Sequence, residues 1–229
     1  ISCIAELGSW YGASCDYLCR EAPNAKVYAV DLWDERVILD DTHYGTDDRR
    51  KLSAMLREHP LHDTFLVNLW RYRDRLTPIR KDSVSGLRYL AKLGVTPQVI
   101  YIDASHHYEH VKQDISTALD LFPSAVLVGD DYGHYEDVRR AVQECAEKYG
   151  KTIHVDTNHC WTYAEIQLST GRSITPKMQG LASLMSFYKK MDKPAAAGQE
   201  KTTTTTTQAS TASANRSDQS SRKCAFAMK

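Results

Sequence analysis

The chain has 229 residues, 42% of them hydrophobic and 25% charged, enough for one ordinary globular domain with chain to spare. Its 29 basic side chains balance 29 acidic ones, so no net field exists to hold a polyanion, and nucleic acid is not expected as a partner. No apolar run approaches the ~20 residues of a membrane span, and no charged segment followed by an apolar one resembles a signal peptide. A cytoplasmic protein without membrane attachment is expected. The six cysteines, Cys3, Cys15, Cys19, Cys145, Cys160 and Cys224, show neither a CxxC pair nor zinc-ligand spacing, which suits free thiols in a reducing compartment.

The sequence opens at "ISCIAELG", without an initiator Met and already strand-like, so N-terminal material is expected to be missing. Strand-like "SCIAEL" leads to a helix near Tyr11 to Glu21, then "KVYAVDL", then a polar stretch from Trp33 to about Gly45 and helical segments through Arg73. "LTPIRKD" precedes a helix near Val84 to Leu93. "QVIYIDA" precedes one with apolar positions Val111, Ile115, Ala118, Leu119 and Phe122. "AVLVGD", a helix from about Tyr135 to Tyr149, and the pair "TIHVD" and "TYAEIQL" complete the pattern. Short β-branched strands alternating with helices predict a doubly wound α/β fold with a parallel sheet covered on both faces. The short loop between the last two strands predicts a hairpin that adds one antiparallel strand.

From Lys193 the chain turns to Thr, Ser, Ala and Gln, including six consecutive threonines, with too few large apolar groups to offset ordering entropy. The domain reading is therefore a folded unit over 1–170, a helical extension over 171–192 containing "GLASLMSFYKKM", and a disordered tail over 193–229.

Ligands of such sheets sit outside the carboxyl ends of the strands, so those ends are the places to read. The first strand ends "AELGSWYGAS": Glu6, then Gly8 and Gly12, then Ser14 as a helix begins. Glycine lets backbone approach a ligand closely, and a helix N-terminus offers unpaired N–H groups. The second strand ends in Asp31, whose carboxylate suits the ribose hydroxyls of a nucleoside, although an acidic residue there also serves as a helix cap. Asp82 and Ser83 end the third strand, either at an adenine edge or as a cap. "SAVLVGDDYGH" carries two adjacent carboxylates. At ~4 Å these repel by roughly 4 kcal/mol at an effective dielectric near 20, so the pair calls for a positive partner, while Asp-Asp-Tyr-Gly is also a good turn sequence.

Taken together, "AELGSWYGAS", "AVD", "KDS", "YIDASHHYE" and "VGDD", in this order, resemble the class I S-adenosylmethionine-dependent methyltransferases. Within them they resemble the metal-dependent small-molecule O-methyltransferases, similar to macrolide-sugar and catechol O-methyltransferases. The resemblance covers about Ser2 to Leu168 and implies a seven-stranded, mostly parallel Rossmann-like sheet with an antiparallel last strand. It implies that Glu6, Gly8, Ser9, Gly12 and Ser14 surround the methionine part of the cofactor, that Asp31 holds the ribose, and that Asp82 and Ser83 lie by the adenine. Asp103, also placed near the cofactor, would bind a divalent metal, Mg²⁺ the expected ion, with Asp130 and Asp131. The catechol enzyme has Asn where Asp131 stands. His106 falls where that enzyme's motif places a lysine base, with His107 and His110 as local competitors. The implied reaction is methyl transfer to a hydroxyl of a sugar, diol or phenol. The stretch Trp33 to Gly45 matches no assigned part and is the candidate for shaping the acceptor pocket.

Two other readings compete. One is a cofactor-binding regulatory protein of the same fold without catalysis. The other is an RNA methyltransferase, which the absence of a basic stripe disfavours. Acceptor identity and homo-oligomerisation stay open at this stage. A chain truncated at Lys193 should keep its melting temperature and cofactor affinity; a fall of several degrees in a thermal melt contradicts the tail reading.

Overall fold

In a computed structural model of the chain, the described residues are 1–40, 45–156 and 159–164. The expected helical extension over 171–192, the tail over 193–229 and the end of "TYAEIQL" lie outside them. The elements run β1 (Cys3–Leu7), α1 (Ala13–Glu21), β2 (Lys26–Asp31), α2 (Glu35–Asp40), α3 (Thr46–Glu58), α4 (Leu61–Leu69) and a 3-10 turn (Trp70–Tyr72). Then follow β3 (Leu76–Arg80), α5 (Ser83–Lys92), β4 (Val99–Ile102), α6 (Tyr108–Leu121), β5 (Val126–Gly129), α7 (Glu136–Tyr149), β6 (His154–Val155) and β7 (Trp161–Thr162). The strands form one sheet in the order β3-β2-β1-β4-β5-β7-β6. Pairing is parallel from β3 through β5, and β7 lies antiparallel between β5 and β6. This is the doubly wound, mostly parallel seven-stranded sheet with an antiparallel last strand that the sequence predicts.

Strands covered on both faces read as unbroken apolar runs, and all four residues of β4 are buried. Along β1 the alternation of a strand sends Ala5 and Leu7 to one face, where Leu87, Leu90, Val111, Ile115 and Val142 of α5, α6 and α7 pack. Ile4 goes to the other face, with Cys15 and Leu18 of α1, Leu56 of α3 and Phe65 and Leu69 of α4. Glu6 shares that second face by the same period, fully buried among apolar neighbours. Among the described residues, three α-helices and the 3-10 turn stand between β2 and β3.

Two expectations are corrected. The stretch Trp33 to Gly45 is not simply polar: Trp33 is fully buried, its ring 4.6 Å from that of Phe65, and Glu35–Asp40 form α2. One buried indole outweighs the polar composition around it, because a large aromatic removes more apolar surface from water than any other single side chain. Glu35 then caps α4 by accepting the Leu61 amide at 3.1 Å. The third strand stops at Arg80, before Asp82, because the Asp82 carboxylate turns back to accept the Ser85 amide at 2.8 Å and caps α5.

Asp114, on the buried face of α6, is 4% exposed. Burial, with the like charge of Asp82, pushes its carboxyl up to about 7 against the pull of a hydrogen bond from the Ser83 hydroxyl. A folded-state pKa raised above the unfolded one leaves stability unaffected below about pH 4 and lowers it progressively as pH rises to about 7. Asp114→Asn should therefore raise the melting temperature by several degrees at about pH 8 and flatten the stability profile between about pH 4 and 7. Thermal melts across pH check this; parallel profiles for the two proteins contradict it.

Candidate active site

The chain order reverses beside β1: it steps from β1 to β2 and β3 on one side and then crosses to β4 on the other. Such a switch point opens a crevice at the strand ends. The loops leaving β1 and β4 meet there. A Cβ on Gly8, which has φ +84°, would lie 2.1 Å from the Asp103 carbonyl oxygen, so only glycine fits the contact. The Asp103 amide donates to the Leu7 carbonyl and the Gly8 amide to that of Val30, both at 2.9 Å.

On the β1 side the chain forms a cradle. Gly12, φ +90°, packs against Leu69 and Phe65 of α4 and begins α1 without a side-chain cap. The helix therefore presents first-turn N–H groups to whatever occupies the cradle. Beneath it, Glu6 Oε2 accepts from the Ser9 hydroxyl at 2.6 Å and from the Cys15 thiol, while Oε1 is buried without a hydrogen-bond partner. Burial raises both the Glu6 carboxyl and the Cys15 thiol. Ser14 adds a second hydroxyl near the carboxyl. An orphaned acceptor under a glycine loop is what a cationic, close-fitting ligand would complete.

Asp31 ends β2 and ties this cradle down. Its Oδ2 accepts the amides of Ser9 (2.7 Å) and Trp10 (2.9 Å), and its Oδ1 that of Trp33 (2.6 Å). The Trp33 indole N–H reaches the Trp10 carbonyl at 2.9 Å. Burial nevertheless moves the Asp31 carboxyl upward against those three amides. Asp82 and Ser83 lie at the start of α5, after the next strand over, and Asp82 serves as its cap.

On the β4 and β5 side stands an acidic group with imidazoles. Ligand-capable atoms of Asp103, His106 and Asp131 all lie within 4.8 Å of one another. His106 Nε2 is 2.9 Å from Asp131 Oδ2, and its ring stacks on Tyr135 at 4.1 Å with planes 4° apart. His134 Nδ1 is 3.1 Å from Asp131 Oδ1. Asp130 is not in this group: its Oδ1 accepts the Asp131 amide at 2.8 Å and faces the Cys160 thiol at 3.6 Å. The Asp-Asp pair also makes a turn, with Asp131 at φ 65° and its carbonyl accepting from His134 at 3.0 Å. Ile102, Val111, Val138 and Trp161 wall the pocket beside it.

The structure thus brings together Glu6, Gly8, Ser9, Gly12 and Ser14, with Asp31 bonded to their loop, and separately Asp103, His106 and Asp131. His107 and His110 turn to one another and to Ser105, whose hydroxyl is 2.9 Å from His110 Nδ1. The N-terminus of α6 is capped from α7, where Asp137 accepts the Tyr108 amide at 3.1 Å, so no histidine is needed there. Sequence reasoning missed Cys15, His134, Tyr135 and Trp161. The i,i+3 spacing of Asp131 and His134 was the available signal for one of them; Trp161 reaches the pocket only through the pairing of β7 with β5.

The sequence profile of a family described as "Methyltransferase domain" matches residues 5–132, more than half of the chain. The chain belongs to that methyltransferase family. Its methyl donor is S-adenosylmethionine, and the cradle fits a donor that carries positive charge. No curated protein matches the chain. Among solved structures it is similar to the O-methyltransferase NovP, with 15% identity, 71% of each chain covered and a TM-score of 0.46. It is similar to human Methyltransferase-like protein 13 in complex with SAH, with 12% identity, coverage of 88% of this chain and 87% of that one, and a TM-score of 0.45. It is similar also to MycE from the mycinamycin biosynthetic pathway in complex with Mg and SAH, with 16% identity, 76% and 48% covered, and a TM-score of 0.42.

Removing the Asp31 carboxylate strips three amides of their acceptor, each such charge-assisted bond being worth roughly 1.5–3 kcal/mol. Asp31→Ala should lower the melting temperature and weaken S-adenosylmethionine binding together, with Asp31→Asn in between. Thermal melts and a cofactor titration check this; an Asp31→Ala protein that melts and binds like the wild type overturns it.

Proposed function

We propose that the chain transfers the methyl group of S-adenosylmethionine to a hydroxyl of a small molecule, a sugar, diol or phenol, with a divalent ion at the acidic edge. The observation that carries this reading is the meeting of two unlike half-sites across one backbone contact. The orphaned Glu6 cradle lies on the β1 side of the Gly8–Asp103 approach, and the Asp103, His106 and Asp131 group on the other.

The cofactor, when bound, supplies an electrophilic methyl carbon on a sulfonium. Toward it, Glu6, Ser9 and Ser14 would face the methionine end, Asp31 the ribose, and Asp82 and Ser83 the adenine. Asp103 and Asp131, with Asp130 as a third carboxylate at the same edge, are hard oxygen donors of the kind Mg²⁺ accepts. The ion, when bound, stabilises negative charge developing on the acceptor oxygen.

In the proposed reaction the acceptor oxygen bonds to the methyl carbon, the carbon–sulfur bond breaks, and the hydroxyl proton passes to the His106 ring nitrogen that Asp131 does not hold, since Nε2 gives its hydrogen to Asp131 Oδ2 at 2.9 Å. An imidazole is the side chain most often used for such a proton transfer. Asp131 orients the ring and stabilises the imidazolium, while stacking on Tyr135 restricts its rotation. The apolar wall of Ile102, Val111, Val138 and Trp161 excludes water on one side of the transfer. Zero net charge favours a small acceptor over a nucleic acid.

His106→Gln should lower turnover by roughly 10²–10⁴ while leaving cofactor affinity and Mn²⁺ affinity, read by titration, near those of the wild type. Wild-type turnover in that case rules out the base assignment. A loss of Mn²⁺ affinity equal to the loss of turnover makes His106 a ligand instead. Full activity in excess chelator refutes the ion's role, and cofactor binding without transfer to any polyol or phenol favours the regulatory alternative.

A further inference from the structure

We propose that Glu6 is protonated in the free protein and ionised in the cofactor complex, so that each binding event at the β1 cradle releases a proton to solvent. The inference rests on the reading of the cradle as the S-adenosylmethionine site and goes beyond it in assigning the charge state of its floor.

The geometry carries it. Glu6 is fully buried; one carboxyl oxygen has no hydrogen-bond partner, and the donors that meet the carboxyl, the Ser9 and Ser14 hydroxyls and the Cys15 thiol, are all neutral. An ionised carboxylate in that position costs several kcal/mol unless a countercharge faces it. The elements packed around it supply none. On α1 stand Cys15, Cys19 and Ser14, and both thiols are themselves held protonated by burial. From α4 come Phe65 and Leu69, both apolar. Across the sheet, Glu6 is in register with Tyr101 on β4 and Ala29 on β2. The ionisable charge it feels is that of Asp31, of like sign, which reinforces the effect of burial.

S-adenosylmethionine brings what is missing. Its sulfonium is permanently positive and its amino group is cationic, so either one beside Oε1 favours the carboxylate over the acid. The hydroxyl and thiol donors already aimed at Oε2 stabilise the anion once it forms. The balance is one O–H bond of Glu6 broken, its electron pair kept on the carboxylate and the proton passed to buffer. Neither thiol takes it, because each is already protonated.

The test is calorimetric titration of the full chain with S-adenosylmethionine between about pH 5.5 and 7.5, in phosphate, imidazole and Tris buffers with chelator present, since linkage ties proton release to the pH dependence of affinity. The heat should vary linearly with buffer ionisation enthalpy, with a slope approaching one proton released. Affinity should fall by up to tenfold per pH unit as the medium is acidified. Glu6→Gln should remove both dependences. Where that variant fails to fold, an infrared difference spectrum of the wild type supplies the second readout: the carbonyl stretch of a protonated carboxylic acid should vanish on binding. Cofactor binding with buffer-independent heats, a slope that persists in folded Glu6→Gln, or an unchanged carbonyl band overturns the proposal. Absence of cofactor binding at every pH is a separate result that overturns the cradle reading beneath it.

Discussion

The approach of Gly8 to the Asp103 backbone is the constraint on which the rest of the site depends. Two loops from strands on opposite sides of the topological switch are brought so close that no side chain fits between them. The parallel register that pairs Leu7 with Ile102 ends both strands at the same level, so the chain leaves β1 and β4 in phase. A methyl transfer needs its electrophile and nucleophile held in line within a few ångströms, and immobilising both partners is among the largest contributions a protein makes to such a reaction. Here the sheet itself sets the distance between the two loops. Catalytic groups on separately mobile loops would have to find it anew at each turnover.

Strain and charge gather at the same edge. The described non-glycine residues with positive φ are Trp10, Trp33, Asp131 and His159, each beside a strand end at the crevice. Conformations of this kind cost of order 1–3 kcal/mol each and persist where surrounding contacts over-determine them. For Trp33 the compensation is visible: a fully buried indole, an amide given to Asp31 and a ring N–H given to Trp10. For Asp131 it is the pair of imidazoles, His106 and His134, one on each carboxylate oxygen. The core on both faces of the sheet is apolar and supports these arrangements.

Much of this was legible in the sequence, and the failures have physical causes. Strands β1, β2, β4 and β5 could be read because burial on both faces demands continuous apolar runs. Residues just past those runs, Gly8, Asp31, Asp103 and Asp131, were identifiable as strand ends. The end of β3 was overextended because "RKD" gives no local stop; what ends the strand is the turn of Asp82 to the Ser85 amide. Asp130 and Asp131 line one pocket with Asp103 and His106, yet adjacent side chains at a strand end project in different directions, and the structure sets Asp130 Oδ1 against the Cys160 thiol while Asp131 meets His106, a division the sequence did not show. Trp161 was illegible, since its place depends on a two-residue antiparallel pairing that no local pattern encodes.

The alternation of a single strand decides how the two half-sites differ. Period two places Glu6 on the face covered by α1 and α4, and Leu7 on the face covered by α5, α6 and α7. A slip of one residue in β1 would exchange them, sending a carboxyl into the larger apolar cluster and withdrawing it from beneath the cradle. The acidic group escapes this dependence because its members stand beyond the ends of β4 and β5, where direction is set by turns and imidazole contacts. The cradle is therefore fixed by the core, and its chemistry is that of a buried group whose charge state follows its occupant. The acidic edge is fixed by the loops, where the buried Asp131 meets the half-buried Asp103 and His106. Variation in the acceptor is accordingly expected to enter through the loops after β4 and β5 and through the helices between β2 and β3, with Glu6 and its neighbours held in place by the packing of α1 against β1.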